Sequence, residues 1–409
     1  MNISQRKLIY LNVIESSILY GSVVWTNWMH CRALKKIQTI QRLLLLTVTG
    51  AYCTTSHAAI HVIAGIPPID LTIKSKALMS KISLTSKSIQ IPGHNFCSSD
   101  LEETAKKWDS HPSIQCTLPK ISLKGKTPSL QNLEIYTDGS KTKCGVGAGY
   151  AVLRDGIRIQ NWSARLNPSN SVFQAELTAI FQGLLYLQIN RASSAADLYS
   201  DSLSSLEALL NPIHRNPLVR KIQKILEGQN DISLSWIKGH AGQVGNEAAD
   251  FLAKQAANDP STPLILNMPV PKSFIKQKLQ EHLKDSWNTR WQSETTGRRV
   301  HSIFPNPSLK TSIKNRSDTL FVTGHGPFPA YLSRFKIIPS PNCACGLIGT
   351  PDHYLYSCPL TSQFHLKMNN SITIPDNIRQ ALSHPSGSNS MHNLISELTI
   401  RNYEFQEVS

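Results

Sequence analysis

The stretch Leu133-Glu134-Ile135-Tyr136-Thr137-Asp138-Gly139-Ser140 constrains the fold of this chain more than any other. Leu133, Ile135 and Thr137 alternate with Glu134 and Tyr136, a period of two that predicts a strand. Asp138 is expected where that strand runs into a Gly-Ser turn, held by the sheet but facing an open edge. Alone, Asp-Gly is also an ordinary hairpin-turn signal. Three more carboxylates follow in settings that can reach the same spot: Glu176, Asp201 and Asp250. Four acids at one point repel each other unless a cation sits between them, and an oxygen-only ligand set suits Mg²⁺ or Mn²⁺. Two such ions, about 3.5–4 Å apart, activate a water and stabilise the leaving oxygen of a phosphodiester.

The segments around these acids read as an alternation of strands and helices. Residues 146–153 and 156–164 are expected as a second and third strand, joined at Arg154-Asp155-Gly156. Residues 172–189 predict a helix with Phe173, Leu177, Ile180, Leu184 and Leu187 on one face. Glu176 is expected in its first turn, where a favourable charge at the helix dipole is the plainer account. Asp197-Leu198-Tyr199-Ser200-Asp201-Ser202 repeats the opening pattern, a strand passing into a helix at Leu203, and Asp201 there also suits a plain helix cap. Ile232 to Ile237 is a further alternating strand. It runs into Lys238-Gly239-His240-Ala241-Gly242, whose glycines allow a tight, mobile loop, and then into a helix opened by Gly245-Asn246-Glu247-Ala248-Ala249-Asp250. His240 by itself is as readily a satisfied loop histidine, and Asn246 or Glu247 a cap.

Thr-Asp-Gly-Ser, Ala-Glu-Leu, Ser-Asp-Ser and Trp-Ile-Lys-Gly-His-Ala-Gly-x-x-Gly-Asn-Glu-x-Ala-Asp stand in one order across residues 131–257. This set resembles the type 1 ribonuclease H domain. The resemblance implies an α/β fold, a mixed five-stranded sheet flanked by helices. It also implies that Asp138, Glu176, Asp201 and Asp250 bind two Mg²⁺ (or Mn²⁺), and that His240 helps product leave or shuttles protons. The reaction implied is endonucleolytic hydrolysis of the RNA strand of an RNA–DNA hybrid, with the 2′-OH as the handle that selects RNA. Gly145 and Gly147 are either ordinary turn glycines or a place where the backbone approaches the hybrid.

The chain has 409 residues and a net charge of +15, enough for two or three domains and suggestive of a polyanionic partner. Residues 131–257 hold 12 Lys and Arg against 11 Asp and Glu, so the excess lies in the flanks, with 15 against 6 before them and 15 against 9 from Pro260 on. Plain solubilising charge is the alternative. No run reaches membrane-span length and no signal peptide is evident. The eight cysteines are scattered apart from one cluster, which speaks against a disulfide framework and for a reducing, intracellular setting, nuclear or cytoplasmic.

Residues 1–92 read as helical, from Ile9, Val13, Ile14, Ile18 and Leu19, then Leu34, Ile37, Ile40, Leu43 and Leu44, then a helix after Pro68. Leu19 to Trp25, Thr49-Gly50-Ala51-Tyr52-Cys53-Thr54-Thr55-Ser56 and Ile63 to Leu71 resemble the region after the polymerase palm of non-LTR retrotransposon reverse transcriptases. The resemblance implies a thumb-like remnant. The Tyr-x-Asp-Asp polymerase site is not in this sequence, so DNA synthesis by this chain alone is not expected. Residues 93–130, with Pro, Ser, Gly and Lys, are expected to be a linker.

Residues 258–409 are expected to form a helical C-terminal region. Residues 272–291 predict a helix with Trp287 and Trp291 on one face, packed in a core or stacked on bases. Arg298 and Arg299 are candidates for phosphate contact. Cys343, Cys345, His353 and Cys358 can close a tetrahedral structural Zn²⁺ site, or the three cysteines can simply be buried thiols. With Thr323-Gly324-His325-Gly326-Pro327-Phe328-Pro329-Ala330-Tyr331-Leu332 before it, this segment resembles the Cys-Cys-His-Cys tail of jockey-like elements, and His325 is a further candidate ligand. Together these resemblances imply a C-terminal fragment of a retrotransposon Pol polyprotein that acts on RNA–DNA hybrid, with element RNA and the polymerase portion as partners. A catalytically inactive nucleic-acid-binding remnant is the rival expectation.

Overall fold

The structure, a computed structural model, describes residues 1–409 except 86, 106–119, 126–132, 191–194, 228, 230, 266–267, 312, 369–370 and 408–409. The chain forms two compact units, Phe96–Lys278 and a second made of Met1–Asn95 with Leu279–Ser409.

The first unit is built on a six-stranded mixed sheet. Its strands are β1 (Lys120–Ser122), β2 (Leu133–Lys141), β3 (Val146–Arg154), β4 (Ile157–Leu166), β5 (Ala196–Ser200) and β6 (Ile232–Trp236), in spatial order β1-β6-β5-β2-β3-β4. The β2–β3 and β3–β4 pairs are antiparallel, whereas β2–β5, β5–β6 and β1–β6 are parallel. Helices α1 (Val172–Asn190), α2 (Leu203–Leu210) and α3 (Pro217–Leu226) share a core with Ile135, Leu198 and Leu234 of the sheet. Helix α4 (Val244–Asn258) contributes Ala249 to a second core with Tyr136, Ala151 and Tyr199. Strand β2 is thereby covered on both faces, and residues 133–139 are all buried.

Several expectations change here. The sheet has six strands where five are expected. The sixth, β1, comes from the segment read as a linker: Lys120, Ile121 and Ser122 pair with Ser233, Leu234 and Ser235, and Ile121 packs on the core. Leu101 is buried and bridges to Val270, so residues 96–105 are also fixed to the unit; residues 106–119 and 126–130 of the linker lie outside the described residues. Asp138 does not stand at a turn. Strand β2 continues through Gly139 and Ser140 to Lys141, with Asp138 opposite Gly149 of β3. The glycines explain the continuation. A Cβ on Gly139 would strike the backbone of Ala175 and Glu176, and one on Gly147 would strike Ala253 and Ala257 of α4. These residues therefore admit helices close against the sheet. Gly147 is packed against α4, not open to a substrate, and Gly145 faces the Ala257 carbonyl in the same way.

In the second unit, helices Cys31–Thr49, His57–Ala64 and Ile69–Leu84 do not form a remnant with a core of its own. Leu45, Ile60 and Ile63 share one core with Trp291, Phe321, Phe328 and Leu394. The regions 1–92 and 258–409, expected as separate domains, thus contribute to one apolar interior. Arg290 makes a bidentate pair with Asp70, at 2.9 and 2.7 Å. Trp287 and Trp291 are core residues, and the Trp291 indole donates to the Phe304 carbonyl. Arg299 grips Asp352 with two hydrogen bonds, and Arg298 donates to the Glu294 carbonyl. Among the described residues no helix is long and apolar enough to cross a membrane.

Candidate active site

Each acid is brought to the site by a different element. Asp138 comes from the middle of β2, Glu176 from α1, Asp201 from just past β5, and Asp250 from α4. Helix α1 starts where Ser171 and Gln174 close a capping pair, the Gln174 N–H donating to Ser171 Oγ and the Ser171 N–H to Gln174 Oε1. Glu176 consequently lies in the second turn and not the first, and the helix has no acid in its first turn. The helix-dipole account loses its basis. Asp201 does not cap α2 either, because Ser202 holds the cap position, without a side-chain cap bond.

Carboxylate oxygens of Asp138, Glu176 and Asp201 all lie within 4.8 Å of one another. Asp138 and Glu176 are buried, at 7% and 6% exposure. Asp250 stands beside this group, its carboxylate held by Lys254 at 2.7 Å, one helical turn away. Burial first, then the charges of Asp201 and Asp250, push Asp138 up to about 7. Burial, then Asp138 and Asp201, hold Glu176 well above the ordinary carboxylate range. Asp201 is raised too, chiefly by burial, against a hydrogen bond from the Asn246 amide. Glu176 Oε2 is buried with no hydrogen-bond partner. Lys254 and His240 offset only part of this crowded negative charge, and beside the orphaned oxygen a hard divalent cation fits the gap.

His240 faces this cluster from the loop after β6. It is exposed, adopts a left-handed backbone with φ of 52°, and its charge acts on Asp201. A non-glycine residue held in that region costs on the order of 1 kcal/mol or more, a strain that recurs at functional loops. Gly239 beside it leaves room for Asp201, whose Oδ2 lies 2.6 Å from where a Cβ would stand. The support from Asn246 had no sequence signal beyond a possible cap. Its amide meets Asp201 only once α4 is docked.

The Cys343, Cys345, His353 and Cys358 ligand atoms also gather within 4.8 Å of one another. Cys343 and Cys345 sit in a tight turn closed by the Gly346 N–H donating to the Cys343 carbonyl, and His353 lies on helix Pro351–Tyr356. Cys343 Sγ and Cys358 Sγ are 3.6 Å apart, and Cys345 Sγ is 3.2 Å from His353 Nε2. Two thiolates on one tetrahedral Zn²⁺ stand about 3.8 Å apart. His353 Nδ1 bonds Ser357 Oγ at 3.1 Å, which turns Nε2 toward the sulfurs. The donor set and spacing fit zinc. His325 is not in this group; its Nδ1 lies 3.1 Å from Thr54 Oγ1.

Residues 131–258 match the RNase H family model. The chain belongs to the RNase H family, and the unit that gathers the acids is a ribonuclease domain. It is 30% identical over 143 residues to the ribonuclease H of Methylobacillus flagellatus, covering 31% of this chain and 91% of that protein. It is 28% identical over 196 residues to a retrovirus-related Pol polyprotein from type-1 retrotransposable element R1 of Popillia japonica, covering 47% of this chain and 78% of that protein. Among solved structures, RNase H1 from Halobacterium salinarum NRC-1 matches at a TM-score of 0.26 and 22% identity, over 30% of this chain and 96% of that one.

Proposed function

We propose that this chain hydrolyses the RNA strand of RNA–DNA hybrids as part of a non-LTR retrotransposon Pol polyprotein. The observation that carries the reading is the buried Asp138, Glu176 and Asp201 cluster with its unpartnered Glu176 oxygen, inside an RNase H domain. The three acids, joined by Asp250 once it leaves Lys254, would hold two Mg²⁺ ions. Bound there, such ions lower the pKa of an attacking water and stabilise the leaving 3′-oxygen. The protein's part is to keep the carboxylates convergent, on a strand and on helices packed against the sheet, so that little reorganisation is needed at the moment of reaction. His240, on its glycine-flanked loop, would meet the product phosphate and take part in proton transfer as it leaves. The 2′-OH of the RNA strand is the feature by which the site would choose RNA over DNA. The sequence resemblance and the R1 relative support a polymerase portion and element RNA as partners. Cys343, Cys345, His353 and Cys358 would hold one structural Zn²⁺.

The test is cleavage of a labelled RNA–DNA hybrid by the full chain with Mg²⁺, beside single-stranded RNA, duplex RNA and duplex DNA. Hybrid alone should be cut, and Asp138→Asn should lower the rate by at least about a hundredfold while leaving circular dichroism unchanged. Equal cleavage by the variant would refute the assignment of the site.

A further inference from the structure

Two of the motifs that carry the retrotransposon resemblance supply none of the clustered acids, and although they lie some 270 residues apart they meet in the second unit. Thr54 Oγ1 bonds both His325 Nδ1, at 3.1 Å, and the Tyr331 hydroxyl, at 2.9 Å. Around that node runs a ladder of rings. Tyr52 and Tyr331 stack with centroids 5.8 Å apart, His325 and Tyr331 at 4.9 Å, and Phe335 follows Tyr331 at 5.1 Å. Arg316 lies over Tyr52 and Arg334 over Phe335. The last rung, Phe335, is 44% exposed. Arg316, Arg334 and Lys336 are exposed around the ladder, and Lys336 is held at a φ of 57°.

The charge of these segments has one sign. Residues 16–69 contain Arg32, Lys35, Lys36 and Arg42, and no Asp or Glu; residues 319–351 contain Arg334 and Lys336, and again no Asp or Glu. An exposed ring end flanked by guanidinium groups suits a flexible polyanion with free π-faces, and Asp318, two residues from Arg316, is buried away from that surface. A duplex keeps its bases stacked on each other and offers only phosphate to such a face. A single strand offers both phosphate and bases.

We propose that the Tyr52–Tyr331–Phe335 ladder, with Arg316 and Arg334, is a binding platform for single-stranded nucleic acid. Phe335 stacks on a base, the arginines and Lys336 take the flanking phosphates, and the Thr54–His325–Tyr331 node keeps the ladder rigid.

The platform is tested in the full chain carrying Asp138→Asn, so that strand cleavage does not enter. Short labelled single-stranded DNA and single-stranded RNA, and duplex DNA of the same sequence, are titrated by fluorescence anisotropy. Phe335→Ala, at an exposed position, should weaken single-strand binding about fivefold or more and leave duplex binding nearly unchanged, whereas Arg334→Gln, which loses a phosphate contact, should weaken both. A 2-aminopurine base in the strand should be quenched by the parent chain and not by Phe335→Ala. The strand type bound more tightly, DNA or RNA, then identifies the natural ligand. Tyr331→Phe, which keeps the ring and loses the Thr54 bond, should bind better than Tyr331→Ala. Unchanged affinity in Phe335→Ala and Arg334→Gln, or equal losses for single strand and duplex in Phe335→Ala, would overturn the proposal. Either result is independent of whether the parent sequence cleaves hybrid.

Discussion

A charge on Glu176 is one that the fold itself does not compensate. The side chain is buried, shares its site with Asp138 and Asp201, and keeps one oxygen without a partner. Its folded pKa lies above the unfolded value, so between the two the folded state binds more protons. Its contribution to stability is therefore full below the unfolded carboxyl pKa and is lost as pH rises through the folded one. Glutamine cannot ionise. In EDTA, Glu176→Gln should be more stable than the parent at neutral pH and should match it near pH 4. Urea denaturation at the two pH values measures this, and hybrid cleavage by the variant should be lost. Equal stabilities at both pH values would show that Glu176 is already compensated. The acids themselves were legible because each stands in a short motif of its own. Their settings were less so: Asp-Gly signals a turn, and only the close approach of α1 to Gly139 shows why β2 runs on through Asp138.

At the scale of elements, the site depends on how closely α4 can approach β3. Gly147 and Gly149 face Ala253 along that contact, and Ala256 and Ala257 are buried in it. These five small residues let the helix lie near the backbone of the strand, and the same helix carries Asn246 and Asp250. A methyl group at Gly147 would press on the Ala253 and Ala257 backbone and on Ala256 Cβ, none of which can swing aside. Gly147→Ala should cost about 1–3 kcal/mol by overpacking and should shift α4, lowering hybrid cleavage more than the stability loss alone explains. Thermal melting together with initial rates under conditions where the variant is fully folded will separate the two effects. Full activity in a folded Gly147→Ala chain would mean that α4 need not sit this close. The alternation of residues 133–166 and the apolar face of residues 172–189 made these strands and α1 readable in advance. Strand β1 escaped because three residues with one clear apolar side chain, Ile121, carry too little pattern, and their strand character comes from the β6 edge they complete.

For the molecule as a whole, the partition of the chain is the least local property and the least visible in sequence. Helical periodicity in residues 1–92 says that an apolar face exists and not what covers it. Leu45, Ile60 and Ile63 are covered by Trp291, Phe321, Phe328 and Leu394, from more than two hundred residues further on. Such pairing has no signature at any short spacing. It makes a firm prediction about fragments. Residues 96–278, which include β1, should fold and cleave hybrid with Mg²⁺ when expressed alone. Residues 1–95 alone should lack a cooperative melt, since burial of an amphipathic face is what stabilises helices of this length. Mixing them with residues 279–409 should restore helical circular dichroism and a cooperative transition. In that mixture a zinc chelator should lower the transition temperature, because the ion would tie Cys343 and Cys345 to Cys358, all three within the restored part. The same chelator, at a level that leaves Mg²⁺ free, should not alter hybrid cleavage by residues 96–278, which contain none of the four ligands. A cooperative melt of residues 1–95 by themselves would show that the N-terminal helices are an independent domain after all, and that the shared core adds to a fold already formed.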